Sequence, residues 1–409
     1  MEAMEERLLL RSKRRDGKPV QFGPLRVDRE GISIEPKPLT LFIGPQASGK
    51  SLLMQMLFFG GTFPYLAARF SEKEDLREVV LSLLNHLRRG EKGEDPRGFY
   101  RFVPEGTLGV RYERGEFHLE FSVYSTRSKH IHLVETSGEF FEAFRNFWGW
   151  RDHYQKALPG VYIPSERTIY SRLWNIEPGM LSGPFLPLTM RLFSLVLEHA
   201  RKSYPCRSSP ASKWILGKAR QMLQGEAYLP PSGRKVWKWK TRDGLIHDLE
   251  LASSGQMSGW PIVLITSCVF HWKKAGWINP EQPFTLYIEE PEIHLHPMAQ
   301  IQMVKILAYL ANQEGMRVIF TTHSPLFLYV LNTLIEAYSL FGLKEQKGLP
   351  EPEVRIPPEK VVAYEVSKGD VTPIIDREGW IDEDRLREAE WEAEKYFNRL
   401  RALTEAEEC

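Results

Sequence analysis

The stretch LFIGPQASGKS, residues 41–51, restricts most strongly what this chain can fold into. A strand-like apolar run leads into Gly44, and Gly49, Lys50 and Ser51 complete the pattern G-x-x-x-x-G-K-[ST]. Glycines let backbone N–H groups converge on phosphate oxygens, and the helix that follows points its positive end at the same anion. We predict that the complete phosphate loop binds a triphosphate: Gly44, Pro45, Gln46, Ala47, Ser48, Gly49, Lys50 and Ser51.

Two side chains of the phosphate loop have distinct predicted roles. Lys50 would contact the β- and γ-phosphates, and the Ser51 hydroxyl would ligate Mg²⁺. The alternative is a glycine-rich turn without a ligand. The strand before the loop and the helix after it favour phosphate binding, because that mechanism needs both elements.

Composition narrows the class of protein. The 409 residues are 42% hydrophobic, which is enough for a substantial core. Lys and Arg total 54 against 53 Asp and Glu, so bulk electrostatic binding to nucleic acid is not expected, although a local basic patch stays open. Cys206, Cys268 and Cys409 lie far apart and have no zinc-site spacing. With no signal-peptide-like start and no long apolar stretch, we expect a cytoplasmic protein without membrane segments.

Strands alternate with helices in the second half of the chain. A helix near 256–274 is followed by the strand FTLYIEE, a helix at 297–313, the strand RVIFTTH, a helix at 325–340 and the strand KVVAYEV. Such alternation predicts an α/β fold with a parallel sheet covered by helices. Short strands before the phosphate loop predict an N-terminal antiparallel β subdomain. We predict four regions, namely 18–70, an insertion with helices and a β meander at 71–240, a C-terminal lobe at 241–370, and a charged helix at 371–409.

Two carboxylates follow the strand in TLYIEEPEIHLHP, residues 285–297. Glu289 is predicted to support the Mg²⁺ shell, and Glu290 to position and deprotonate an attacking water. The alternative is a strand that simply ends in solvated acids. A metal site built from Glu292, His294 and His296 is disfavoured, because the turn offers no third partner at ligand spacing.

Two further stretches complete the candidate site. RVIFTTHSP is a strand ending in His323, whose imidazole could contact the γ-phosphate and the attacking water. LASSGQMSG, residues 251–259, is a turn leading into a helix, where backbone amides and the Ser254 hydroxyl could bind an anion. The alternative is an ordinary helix N-cap formed by Ser253 or Ser254, which needs no ligand.

Taken in order, GPQASGKS, ASSGQ, LYIEEPEIHLHP and TTHSP resemble the ABC-type ATPase heads of RecF-like and OLD-family proteins, within the SMC-related group of P-loop NTPases. The resemblance implies binding of ATP and Mg²⁺, and a homodimer or higher oligomer in which each ATP lies between the phosphate loop of one copy and the signature turn of the other. It assigns Glu290 as catalytic base, Glu289 and Ser51 to the metal and His323 as switch histidine. The signature residues acting in trans are Ser254, Gly255 and Gln256.

The chain also departs from that family pattern. Glu289 stands where many relatives have Asp, and Gln46-Ala47 replaces a frequent Asn-Gly. No Q-loop glutamine is evident. VYIPSER, residues 161–167, is the nearest candidate, and Arg167 is the residue of this segment expected near phosphate.

The resemblance leaves the biological output open. OLD nucleases carry a Toprim domain after the ATPase, whereas only about forty residues follow VVAYEV here, fewer than such a domain needs. We therefore expect a stand-alone ATPase that senses a trigger in antiphage defence and acts through a separate effector protein, a nuclease or a toxin. The alternatives are a RecF-like DNA repair ATPase and a scaffold that binds nucleotide without hydrolysing it.

Two aromatic segments are candidate contact surfaces. RKVWKWK alternates cations with Trp237 and Trp239, which would suit nucleic-acid binding. Strand alternation favours the other interpretation, in which both tryptophans pack inward and the lysines are solvated. The helix around Phe140–Trp148 is expected to be a core element rather than an interface.

Overall fold

The computed structural model describes residues 6–70, 103–124, 131–136, 159–172, 187–204, 209–230, 236–278, 283–376, 378–382, 394–396 and 398–399. The predicted helix around Phe140–Trp148, most of the charged C-terminal helix, Cys206 and Cys409 lie outside these residues. Cys268 is a buried free thiol. No helix among the described residues is long and apolar enough to span a membrane.

The strands are β1 Glu6–Ser12, β2 Val20–Phe22, β3 Leu25–Val27, β4 Ile32–Ile34, β5 Leu39–Ile43, β6 Thr107–Arg114, β7 Phe117–Tyr124, β8 Ile131–Thr136, β9 Gly160–Ile163, β10 Gly225–Tyr228, β11 Lys238–Thr241, β12 Ile246–Asp248, β13 Phe284–Glu289, β14 Met316–Thr322, β15 Val361–Ser367 and β16 Asp370–Pro373. The helices are α1 Lys50–Phe70, α2 Arg167–Arg172, α3 Leu188–Ser203, α4 Pro210–Met222, α5 Ser254–Lys274, α6 Pro297–Asn312 and α7 Pro325–Phe341.

A six-stranded sheet in the order β16-β15-β5-β14-β13-β9 forms the centre of the molecule. Its strands β15, β5, β14, β13 and β9 pair in parallel, and β16 is antiparallel at one edge. Every residue of β5, β13 and β14 is buried, as expected for parallel strands covered on both faces. The predicted α/β fold with a parallel-sheet core is confirmed.

Alternate side chains of the parallel sheet point into two hydrophobic cores. On one face, α1 is packed between the parallel sheet and the antiparallel sheet β4-β1-β6-β7-β8, and Phe42, Tyr287 and Ile319 belong to this core. On the other face, α3 to α7 cover residues such as Leu41 and Phe320. The helix that follows the phosphate loop is therefore held between two sheets.

Buried polar groups link the antiparallel sheet to the parallel one. Glu6, at the start of β1, forms an ion pair with Arg317 of β14 and accepts a hydrogen bond of 2.9 Å from Tyr112 Oη. The Tyr112 ring lies against α1 at Gly60, where a Cβ would come within 2.5 Å of it. A glycine at this position lets the two elements approach closely.

The region predicted as an insertion contributes to several sheets. β6 and β7 extend the sheet begun by β1, and β9 pairs with β13 at the edge of the parallel sheet. β10, β11 and β12 form a small antiparallel sheet that turns at Gly244. Trp237 and Trp239 are buried in the core, so the inward-packed interpretation applies and neither ring is available to stack on bases.

Candidate functional site

The phosphate loop connects β5 to α1 in a conformation that depends on its small residues. Gly44 has φ 147°, and a Cβ there would lie 2.1 Å from the carbonyl oxygen of Val366 in β15. Gly49 has φ 107°. Ala47 has φ 59°, in the left-handed region where an L-residue is disfavoured by roughly 1 kcal/mol. The backbone at Ala47 thus has a conformation that suits glycine better than alanine.

Lys50 is folded into the phosphate loop. Its Nζ donates to the carbonyl oxygens of Gly44 at 2.8 Å and Pro45 at 2.7 Å, and lies 3.4 Å from Ser48 Oγ. Only 4% of its surface is exposed. Burial lowers the pKa of Lys50 to about 8, although the carboxylates of Glu290 and Glu292 favour the charged form. The ammonium group is thus held by neutral oxygens that a phosphate group, a stronger acceptor, can replace.

The carboxyl ends of β13 and β14 bring together Glu290 and His323, the two side chains that were each assigned to the attacking water. His323 Nε2 lies 3.2 Å from Glu290 Oε1. The backbone N–H of Glu290 donates to the Thr321 carbonyl at 3.0 Å, and Glu290 itself has φ 42°, a strained value for this residue type. Its hydrogen bond with His323 lowers the pKa of Glu290, assisted by the charges of Lys50 and Arg167. Glu290 is therefore an ionised carboxylate that can accept a proton.

Glu289 is held by the end of β9. Tyr162 Oη donates to Glu289 Oε1, and the backbone N–H of Ser165 donates to Oε2 at 2.9 Å. Burial, followed by the charge of Glu289, raises the pKa of Tyr162 well above its usual value, so the phenol remains a donor. Sequence analysis did not identify Tyr162 as part of the site. An aromatic residue in a buried strand carries no signal that its hydroxyl meets a carboxylate.

The predicted metal residues Glu289 and Ser51 offer one carboxylate and one hydroxyl, which are too few donors to hold Mg²⁺ without a nucleotide. Carboxylate and hydroxyl oxygens are suitable donors for this ion. Among the described residues, however, no group of three or more His, Cys, Asp or Glu side chains could hold a metal. Mg²⁺ characteristically binds through one or two protein oxygens together with phosphate oxygens and waters, which matches this donor set. Glu292, His294 and His296 do not form a metal site, and His296 caps α6 instead, accepting from the Met298 N–H at 3.3 Å.

Arg167 corrects an expectation, because its side chain has no N–H left to donate to phosphate. Its side chain is completely buried and uses all five of its N–H donors on protein oxygens. The acceptors are the Pro164 carbonyl at 3.1 Å, the Glu289 carbonyl at 2.7 Å, the Glu290 carbonyl at 2.8 Å, and the carbonyl and hydroxyl of Ser258 at 2.9 and 3.0 Å. With no free donor, the guanidinium cannot bind phosphate and instead joins β9, β13 and α5.

Glu292 holds the backbone at His323, a contact that the sequence did not indicate. Its Oε1 accepts hydrogen bonds of 2.7 Å from Thr322 Oγ1 and from the His323 N–H. Burial raises the pKa of Glu292, and its buried Oε2 has no hydrogen-bond partner among the described residues. The carboxyl therefore fixes the backbone from which the His323 ring projects.

The signature turn begins with a complete helix cap. Ser253 Oγ accepts from the Gln256 N–H, and Gln256 Oε1 accepts from the Ser253 N–H at 2.9 Å. The Gln256 side chain also donates to the Leu223 carbonyl at 2.9 Å, so its oxygen and its nitrogen each have a partner within the chain. A Cβ at Gly255 would lie 2.7 Å from the carbonyl of His294. The capping alternative is therefore present, with Ser253 as the cap, and Ser254 is exposed at the first helical position.

Comparisons with known proteins show sequence similarity over part of the chain. Residues 220–328 match the family model described as AAA ATPase domain. A segment of 43 residues is 44% identical to the OLD nuclease of Thermus scotoductus (strain ATCC 700910 / SA-01), which covers 10% of this chain and 8% of that protein. The matched stretch is thus a small part of the curated relative. The two matches confirm an ATPase domain of the AAA class related to OLD proteins.

Solved structures of SMC heads are also similar to this chain, at low identity. The SMC head bound to the C-winged helix domain of ScpA has a TM-score of 0.44 and 11% identity, covering 91% of this chain and 97% of that one. The SMC head domain of Thermotoga maritima has a TM-score of 0.38 and 12% identity, covering 91% and 100%.

Proposed function

Because the chain carries an AAA ATPase domain, we propose that it is an Mg²⁺-dependent ATPase that binds ATP in the phosphate loop of residues 44–51 and hydrolyses it when two copies close around the nucleotide. The observation that carries this proposal is the ionised Glu290 carboxylate, 3.2 Å from His323 Nε2 and close enough to Lys50 for each to shift the other's pKa. A base, an imidazole and a phosphate-binding cation therefore share one edge of the parallel sheet.

The residues of one copy account for hydrolysis at that edge. Lys50 exchanges its carbonyl partners for the β- and γ-phosphate oxygens and neutralises their charge. Mg²⁺, held by Ser51 and Glu289 with phosphate oxygens and waters, would stabilise the charge that develops on the phosphates. Glu290 orients a water and takes its proton as the water oxygen bonds to the γ-phosphorus. The bond from the γ-phosphorus to the β–γ bridging oxygen breaks, ADP and inorganic phosphate leave, and Glu290 returns its proton to phosphate or solvent.

His323 contributes to the same step through its fixed position. Its Nε2 reaches Glu290, and its backbone is anchored by Glu292. From this place the imidazole can donate a hydrogen bond to the γ-phosphate and hold the Glu290 carboxylate toward the attacking water.

The second copy supplies the signature turn. Ser254 is exposed at the positive end of α5, where a hydroxyl and helix N–H groups suit an anion. Since Ser253 and Gln256 complete the cap within the chain, Ser254 is the side chain left to contact the γ-phosphate bound by a partner copy. Gly255 and Gln256 shape the turn that presents it. ATP then has a higher affinity for the closed dimer than for separate copies.

ATP-driven closure acts as a switch for a separate effector protein, a nuclease or a toxin, in antiphage defence. The similarity to an OLD nuclease over the ATPase part supports this role. Two alternatives make different predictions. A RecF-like repair ATPase would be stimulated by DNA, and a scaffold would bind ATP without turnover.

Native mass measurement tests the proposal. The full chain, isolated from its own cells with bound partners, is weighed with and without ATP and Mg²⁺, and co-purifying chains are identified. We expect a dimer or higher oligomer with ATP that also persists in the Glu290→Gln variant, together with a bound effector. A monomer under all conditions would contradict closure, and a lone chain with nuclease activity would contradict the separate effector.

A further inference from the structure

Arg167 connects two parts of the chain that serve different nucleotides in the proposed dimer. On one side it holds the carbonyls of Glu289 and Glu290, at 2.7 and 2.8 Å. On the other side it holds the carbonyl and the hydroxyl of Ser258, at 2.9 and 3.0 Å. Glu290 acts on the ATP bound by its own copy, whereas Ser258 belongs to the helix that contacts the ATP of the partner.

The path from the signature turn to the base is short and rigid. Ser254 and Ser258 are four residues apart in α5, so they lie on the same helix face one turn apart. Ser171, one turn after Arg167 in α2, donates to the Met257 carbonyl at 2.7 Å and holds the same turn of α5. A displacement of the start of α5 would therefore move α2 at two points, namely Arg167 through Ser258 and Ser171 through Met257.

The chemistry of Arg167 is unusual for a residue that only fills space. Among the described residues its fully buried guanidinium makes no direct ion pair. It donates hydrogen bonds to four carbonyls and a hydroxyl. Burying a charge in this way is unfavourable. The rigid planar guanidinium fixes the end of β13 relative to α5. A flexible lysine cannot reproduce this geometry.

We propose that Arg167 is a positioning residue that couples the two nucleotide sites of the dimer: contact between Ser254 and the partner's ATP sets the backbone of Glu290 through Ser258 and Arg167. This coupling rests on the proposed ATP-sandwich function. Hydrolysis in each copy then depends on whether that copy's own signature turn contacts the ATP of its partner. The two sites therefore hydrolyse ATP cooperatively. The segment VYIPSER, the nearest candidate for a Q-loop, thus links the end of β13 to α5 through Arg167.

Steady-state hydrolysis as a function of ATP concentration tests the coupling, with the full chain as wild type, Arg167→Lys, Ser258→Ala and the double variant. For wild type we expect cooperative turnover with a Hill coefficient approaching 2, for about two coupled sites. Arg167→Lys is expected to lower kcat about tenfold or more and bring the Hill coefficient to about 1, while binding of a fluorescent ATP analogue to the monomer changes by less than about threefold. Ser258→Ala gives a smaller change in the same direction and adds nothing in the Arg167→Lys background.

Arg355 is the matched control, because it is also a buried arginine that donates to carbonyls, those of Pro350, Gly342 and Lys344, away from the nucleotide elements. Arg355→Lys should lower Tm and leave kcat and the Hill coefficient unchanged. If Arg167→Lys behaves like Arg355→Lys, or if the losses from Arg167→Lys and Ser258→Ala simply add, the coupling is wrong. Should Arg167→Lys not fold, Ser258→Ala alone decides, since unchanged cooperativity in that variant overturns the coupling.

The wild-type protein separates this inference from the function on which it rests. Absence of ATP turnover in wild type overturns the proposed function itself. Turnover with ATP-driven dimerisation but a Hill coefficient of about 1 leaves the ATPase intact and overturns only the coupling.

Discussion

The two ends of the nucleotide site satisfy their charged groups in different ways. At the phosphate loop, Lys50 is bonded to oxygens of the loop in which it lies. At the acid end, Glu289 and Glu290 are held by other elements, through Tyr162, the Ser165 N–H and His323. A phosphate group can replace the partners of Lys50, but it cannot replace those of the carboxylates. We therefore expect ligand binding to rearrange the loop, whereas the hydrogen bonds of the acid end are already formed.

The pKa shifts at the two ends have different causes. Burial lowers the pKa of Lys50, and this penalty disappears when a phosphate pairs with the ammonium group. The pKa of Glu290 is lowered chiefly by its hydrogen bond with His323, a partner that remains in place. The four predictions that follow act on one end or the other, beginning with the largest effect.

Glu290→Gln removes the base at the organised end. Because an amide cannot accept the proton of the attacking water, we expect kcat to fall about a thousandfold. ATP affinity should change little, since Lys50 still binds the phosphates, and the ATP-bound dimer should accumulate. Single-turnover hydrolysis and equilibrium ATP binding measure the two effects, and turnover equal to wild type would remove Glu290 from the mechanism.

Lys50→Met acts on the end that rearranges. Loss of a cation from a buried phosphate site should weaken ATP binding about a hundredfold. Lys273→Met is the matched control, because Lys273 is also a partly buried lysine bound to carbonyls, those of Glu314 and Gly315, at a distance from the site. Calorimetric titration with ATP and Mg²⁺ compares them, and an equal loss in both variants would count against a phosphate contact.

Tyr162→Phe removes one donor from Glu289. Groups that support a metal ligand commonly affect metal affinity about tenfold or more. We therefore expect the variant to need about tenfold more Mg²⁺ for half-maximal activity. Tyr287→Phe is the control, since Tyr287 stacks on Tyr162 with ring centroids 6.5 Å apart and is equally buried. If both variants require the same Mg²⁺ concentration as wild type, Tyr162 has no influence on the metal.

The pKa of Lys50 predicts the smallest effect. ATP favours the protonated amine, and the free protein loses this proton as the pH rises through about 8, so ATP affinity must fall in that direction. Between about pH 7 and about pH 8.5 we expect a loss of about fourfold. Lys50→Met should show no such dependence, and a slope identical in wild type and variant would assign the titration to another group.

The elements around the site were largely readable from the sequence. β5, β13, β14 and β15 are apolar runs, so the strands could be predicted, and the roles given to the residues at their ends stay predictions. The contact between Glu290 and His323 was not predicted, because it depends on the pairing of β13 with β14 in the parallel sheet. β1 was not predicted, because ERLLLRS stands in a highly charged stretch and its partner β6 lies a hundred residues away.

The residues that hold the site in place could not be recognised from the sequence pattern. Tyr162, Arg167 and Glu292 act through contacts with carboxylates and carbonyls brought near only by the fold. Arg167 was noticed for its charge and assigned to phosphate, because a short sequence does not reveal that backbone oxygens already use every donor. Such residues can be recognised only when the acceptor geometry is known.

The strand order of the parallel sheet also affects how the protein is made. β5, which leads into the phosphate loop, lies between β14 and β15, and its Phe42 pairs with Thr321 and Tyr364 from the last quarter of the chain. A nascent polypeptide that has not yet reached β14 therefore displays its phosphate loop without either flanking strand. We therefore expect that ATP can bind only after β14 and β15 have been synthesised and have paired with β5.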